Sequence, residues 1–147
     1  MSAVRTRLVA AAGAVLVTLA MLPARAQDAP PPAVQEWRGA FGGGPSEAVR
    51  VARNQAEWAA LWASLSAAVP MALPAEAFAV EISLGLRNTG GYAVRIVSAA
   101  VDGQAFVVTW AEAAPAPSAI TTQALSDPYV VRLIPRTALA VTFRKTP

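Results

Sequence analysis

Nine carboxylates, a single lysine and two tyrosines carry most of the polar chemistry open to this 147-residue chain, which has neither histidine nor cysteine. That composition excludes a Ser-His-Asp or Cys-His catalytic arrangement, a thiol nucleophile, an imidazole or thiolate zinc site and any disulfide. Lys145 sits close to the C-terminus, where chains fray, and is a poor partner for a Ser-Lys dyad. Acids such as Glu81 or Asp127 could serve a carboxylate enzyme only as a pair at a set separation, and no paired-acid motif is present. The Gly42-Gly43-Gly44 run precedes a strand rather than a helix and has no phosphate-binding lysine. No metal, nucleotide or other cofactor is expected, and catalysis is the weakest of three readings.

Two short stretches instead have the composition of recognition loops. Asn88-Thr89-Gly90-Gly91-Tyr92 and Ser126-Asp127-Pro128-Tyr129 each end in a tyrosine at the mouth of an apolar run. Tyrosine supplies a large contact at low entropic cost, and glycine lets another backbone come close. If the two strands are neighbours, the tyrosines flank one groove and Asn88, Thr89, Gly90, Gly91, Tyr92, Ser126, Pro128 and Tyr129 form a protein-binding site. The alternative is that each hydroxyl caps backbone groups inside a corner of the fold.

The elements that must position these loops are mostly strands. Phe78, Val80, Ile82, Leu84 and Leu86 recur at every second position, the period of a half-buried strand. Thr89-Gly90-Gly91 then predicts a tight antiparallel connection into a strand from Tyr92 to about Val101. Asp102-Gly103 predicts a second hairpin, into Gln104–Ala113, whose two apolar faces place it centrally. Shorter strands are expected at Val34–Phe41 and Glu47–Arg53, paired with each other across a flexible glycine link, and at Ile120–Leu125, Val130–Ile134 and Ala138–Phe143, with Pro135 at a turn or edge. Asn54 as N-cap with Glu57 three residues on predicts a helix, and Trp58, Leu61, Trp62 and Leu65 form its apolar stripe. The indoles could stack on a sugar, but their spacing among leucines favours the core. The fold class is therefore α+β: a mainly antiparallel sheet, curved or an open sandwich, with one packed helix.

The first 26 residues read as a signal peptide: Arg5 and Arg7, an uncharged stretch from Leu8 to Leu22, and Ala24-Arg25-Ala26 as the cleavage signal. Cleavage removes three arginines and leaves nine basic against nine acidic residues, so no nucleic-acid partner is expected. Without cysteine there is no lipid anchor, and the mature chain is expected to be periplasmic or secreted with no stable membrane anchor. Residues 27–33, with Pro30, Pro31 and Pro32, read as an extended arm, and residues 34–147 as a single domain.

Thr89-Gly90-Gly91-Tyr92 leading into Val94 and Ile96, then Ser126-Asp127-Pro128-Tyr129 before Val130, Val131 and Ile134, resembles the C-terminal domain of the protease complex subunit PrcB family. The preceding Glu57-Trp58 helix fits the same layout. The resemblance implies a non-catalytic accessory or stabilising subunit whose partner is a protein, an exported protease in the case that names the family. The short arm departs from the longer N-terminal regions common in that family. Asn88–Tyr92 is also similar to the inhibitory loop of chagasin-like cysteine-protease inhibitors, though it lacks that loop's proline and one threonine. This similarity supplies the alternative function, an inhibitor that inserts Asn88–Tyr92 into a protease cleft.

Overall fold

The computed structural model describes residues 34–147; the expected signal peptide and proline-rich arm lie outside the described residues. In chain order the elements are β1 (Glu36–Gly39), β2 (Glu47–Ala52), α1 (Gln55–Ser64), β3 (Ala77–Leu84), β4 (Ala93–Asp102), β5 (Ala105–Ala113), β6 (Tyr129–Pro135) and β7 (Ala140–Thr146). They form a four-stranded sheet in the order β1-β6-β3-β2 and a three-stranded sheet in the order β4-β5-β7. All pairings are antiparallel except β5 with β7, which is parallel. The α+β expectation holds, in its open-sandwich form.

Alternation places the core. Phe78, Val80, Ile82 and Leu84 of β3, with Val130 and Ile134 of β6, face Val94, Ile96, Phe106, Val108 and Trp110 of the second sheet. On the other side of β3, Ala79 and Val131 of β6 meet Trp58, Leu61, Trp62 and Leu65 of the helix segment. The helix starts as its cap predicts: Asn54 is extended, its Oδ1 accepts the Glu57 N–H at 2.9 Å, and the Glu57 carboxylate accepts the Arg53 N–H. Trp37 of β1 joins Trp58 and Trp62 in a triad with ring centroids 5.3–5.8 Å apart. Both helix indoles are buried, so they belong to the core and offer no stacking platform. The Trp58 indole also donates to the Met71 carbonyl, fastening the following loop.

Five sequence-based expectations change. The strand at 77–84 is buried at every position rather than on one face, because the helix layer covers one side and the second sheet the other. Even Glu81 is fully buried, taking a hydrogen bond from Ser83 and an ion pair at 2.6 Å from Arg50 opposite it in β2. Asn88–Tyr92 is not a hairpin: β3 and β4 belong to different sheets, and the segment crosses from one to the other. β1 and β2 do not pair, since β6 and β3 lie between them. Ile120–Leu125 is loop, held to the crossing segment where the Thr122 carbonyl accepts the Gly90 N–H at 3.0 Å. The β4–β5 hairpin forms as predicted, with Gly103 and Gln104 as its turn residues and β5 central. Lys145 does not fray but lies within β7.

Candidate functional site

A sandwich of two sheets has two open sides, and on one of them β1 and β4 stand apart at the edges of their sheets. Between them lies a cleft of about 220 Å³ lined by Arg38, Gly39 and Ala40, by Tyr92, Ala93 and Val94, and by Tyr129. Both tyrosines therefore reach one cleft, although the strands they begin face each other across the sandwich instead of pairing.

Register explains how Tyr129 gets there. It lies directly opposite Gly39 in the β1–β6 ladder, and its ring covers the glycine so closely that a Cβ at Gly39 would come 2.3 Å from Tyr129 Cε1. Glycine in a strand marks just such a close approach, and Gly39, the last residue of β1, was the signal available in the sequence for this wall. Tyr92 is set by Arg87, whose guanidinium carbon stands 5.8 Å from the ring centroid. Arg87 is itself held rigidly: Nε and Nη2 donate to the two oxygens of Glu112 at 2.9 and 2.8 Å, and Nη1 donates to the Leu84 and Leu86 carbonyls. The paired hydrogen bonds push the Glu112 carboxyl below its ordinary value and the Arg87 guanidinium above its own. No local pattern pointed to Arg87 or Glu112, because the pairing is made across 25 residues.

The two tyrosine motifs are one construction. Arg87 and Ser126 exchange backbone hydrogen bonds at 2.7 and 2.9 Å, and the Ser126 hydroxyl donates to the Thr89 carbonyl at 2.7 Å. Asp127 anchors the glycine run expected to be flexible: its carbonyl accepts the Gly43 N–H, its carboxylate accepts the Gly44 N–H, and its own N–H donates to Ala40. Pro128 gives its carbonyl to the Leu84 N–H. Ser126 and Pro128 are buried behind the cleft, while Tyr92 and Tyr129 are half-buried at its surface and neither phenol oxygen makes a hydrogen bond among the described residues. Asn88, Thr89, Gly90 and Gly91 sit beside the cleft and do not line it. The space over Gly90 and Gly91 belongs to the chain's own loop, where Thr122, Pro115 and Thr121 make the close approach.

The acids considered for catalysis are otherwise engaged, Glu81 with Arg50 and Ser83, and Asp127 with Gly44. Among the described residues no group of three or more acids converges as a metal site would require, and no helix is long and apolar enough to cross a membrane.

No curated protein and no solved structure matches the chain. Residues 78–135 match the family described as PrcB C-terminal. That span runs from β3 to the end of β6 and contains both tyrosine motifs, Arg87 and Glu112. Over this segment, less than half of the chain, the protein is similar to the PrcB C-terminal family.

Proposed function

We propose that this protein is an exported, non-catalytic binding domain that serves as an accessory or stabilising subunit for a secreted or envelope protein, a protease by family relation, and engages it through the cleft between Tyr92 and Tyr129. One observation carries the reading: two tyrosines from distant parts of the chain line one open cleft, and among the described residues neither hydroxyl makes a hydrogen bond. Partly exposed aromatic rings with a free polar tip are the side chains that protein interfaces use as anchors. The inhibitor alternative needs a projecting loop at Asn88–Tyr92. That segment is instead braced by Thr122 and Ser126, which favours a docking cleft over an inserted hook.

The test is affinity capture from the envelope fraction with the mature domain, beside a Tyr92→Ala, Tyr129→Ala variant that keeps the parent's cooperative unfolding. A protein retained by the parent, lost by the variant and still enzymatically active in the complex supports the accessory reading. Loss of a captured protease's activity would favour the inhibitor, and equal retention by both proteins would rule out the cleft. Export has its own readout, an N-terminus at Gln27 in the protein recovered from outside the cytoplasm.

A further inference from the structure

The cleft lies along an open sheet edge, and this bears on the kind of partner segment it accepts. Among the described residues β1 pairs only with β6. The Leu133 N–H donates to the Gln35 carbonyl directly opposite, so alternation makes Trp37 and Gly39 the next bonded positions. The backbone N–H and C=O of Glu36 and Arg38 consequently point away from the sheet, toward the gap. β4 is likewise an edge strand, and its Ile96 carbonyl, turned from β5, is met at 3.3 Å by Arg132. The walls beside these edges carry Ala40 and Ala93, small enough for another main chain to approach.

The charge around the gap is unbalanced. Arg38 and Arg132 both bind the single carboxylate of Glu36, one on each oxygen. Two guanidinium groups on one carboxylate leave a positive charge, and Arg38 is half exposed at the cleft.

We propose that the partner segment is an extended acidic peptide that adds to the free edge of β1 as a further strand, its main chain bonding to Arg38, its carboxylate meeting the Arg38 guanidinium, and its flanking side chains lying against Tyr92 and Tyr129. This rests on the cleft being the binding site. Strand addition draws affinity from main-chain hydrogen bonds and specificity from alternate side chains, and the slot supplies both.

The experiment pans a random linear decapeptide library displayed on phage against the folded domain and maps selected peptides by amide hydrogen exchange. The expected result is enrichment of peptides carrying Asp or Glu that slow exchange at Arg38. Their binding should fall at least tenfold when alternate peptide nitrogens are methylated, and Arg38→Glu should turn the selected charge from acidic to basic. Peptides that need both tyrosines yet tolerate methylation on every nitrogen would overturn strand addition and leave the cleft in place. Enriched peptides that protect a surface away from the cleft, or no enrichment, would overturn both. A dimer in solution that protects the Arg38 amide without peptide would assign the slot to a second copy of the chain and also overturn the proposal.

Discussion

At one open side of the sandwich the edge strands β2 and β7 are tied to each other. Lys145 of β7 reaches Glu47 of β2 at 2.6 Å and lies over the Trp110 ring at 4.9 Å, and Arg53 donates to the carbonyls of Thr137 and Leu139 ahead of β7. Val51, Val141 and Phe143 pack beneath against the core. At the other side, Arg132 of β6 bridges β1 and β4, pairing with Glu36 and donating to the Ile96 carbonyl at 3.3 Å, and the cleft lies between the two edges. The same device, long cationic side chains between two sheets, closes one side and leaves the other accessible. The difference lies in what fills the space below. Aliphatic and aromatic side chains fill the first side; on the second, Ala40 and Ala93 are too small to fill the gap, and the space over Gly39 is taken by the Tyr129 ring.

If apolar packing closes the β2–β7 side, Phe143→Ala should have the largest effect, destabilising the protein by about 2–3 kcal/mol, measured by urea denaturation. Arg87→Ala should follow at about 2 kcal/mol, because it leaves Glu112 with only the 3.8 Å ion pair to Lys145 and two carbonyls without a donor; it should also loosen Tyr92, seen as broadening of the ring resonances. Glu36→Ala tests the cleft side. Leaving Arg38 and Arg132 without their shared carboxylate should cost about 1–2 kcal/mol, and the loss should shrink in high salt. Lys145→Ala should be the mildest, under about 1 kcal/mol, since both partners of that ion pair are substantially exposed. If Lys145→Ala cost more than Phe143→Ala, charge rather than packing would be closing that side.

A pH titration separates the Arg87–Glu112 pair from the rest. Glu112 has a lowered folded value because Arg87 hydrogen-bonds its charged form. Its contribution is therefore fully present above the ordinary carboxylate range and is lost as pH falls through the lowered value. Glu112→Gln should remove that part of the acid dependence while leaving stability near neutral pH lower by about 1 kcal/mol. An unchanged acid limb would mean that other carboxylates dominate it.

Much of the local structure was legible in the sequence, because local rules govern it. Asn54, Glu57 and the Trp-Leu stripe specify the helix, and Asp102-Gly103 specifies the β4–β5 hairpin. Partner choice among strands was not legible. Alternation says which face a residue takes but not which strand lies beside it, so β1 and β2 read as a pair and Asn88–Tyr92 as a hairpin. Double burial of β3 was hidden by Glu81 and Ser83, polar residues that read as a solvent face until Arg50 is placed opposite. The two tyrosine motifs could be singled out from their composition, and both tyrosines do meet in one cleft. What their other residues do depends on contacts distant in sequence. Ser126 and Asp127 work as braces because Thr89 and the Gly43–Gly44 turn come to them, and the cleft's far wall, Arg38 to Ala40, belongs to a strand that carried no recognition signal beyond a glycine.

The most direct measurement compares the two sides in the cell that makes the protein. A photo-reactive benzoylphenylalanine is placed at Ala40, which lines the cleft, and in a second variant at Val49, an exposed position on β2 at the closed side. Irradiation should join Ala40's replacement to a partner protein, identified by mass spectrometry, and the adduct should vanish when Tyr92→Ala and Tyr129→Ala are added. The Val49 variant should give none. An adduct formed from Val49 and not from Ala40 would contradict the account, placing the binding surface on the side that the core closes.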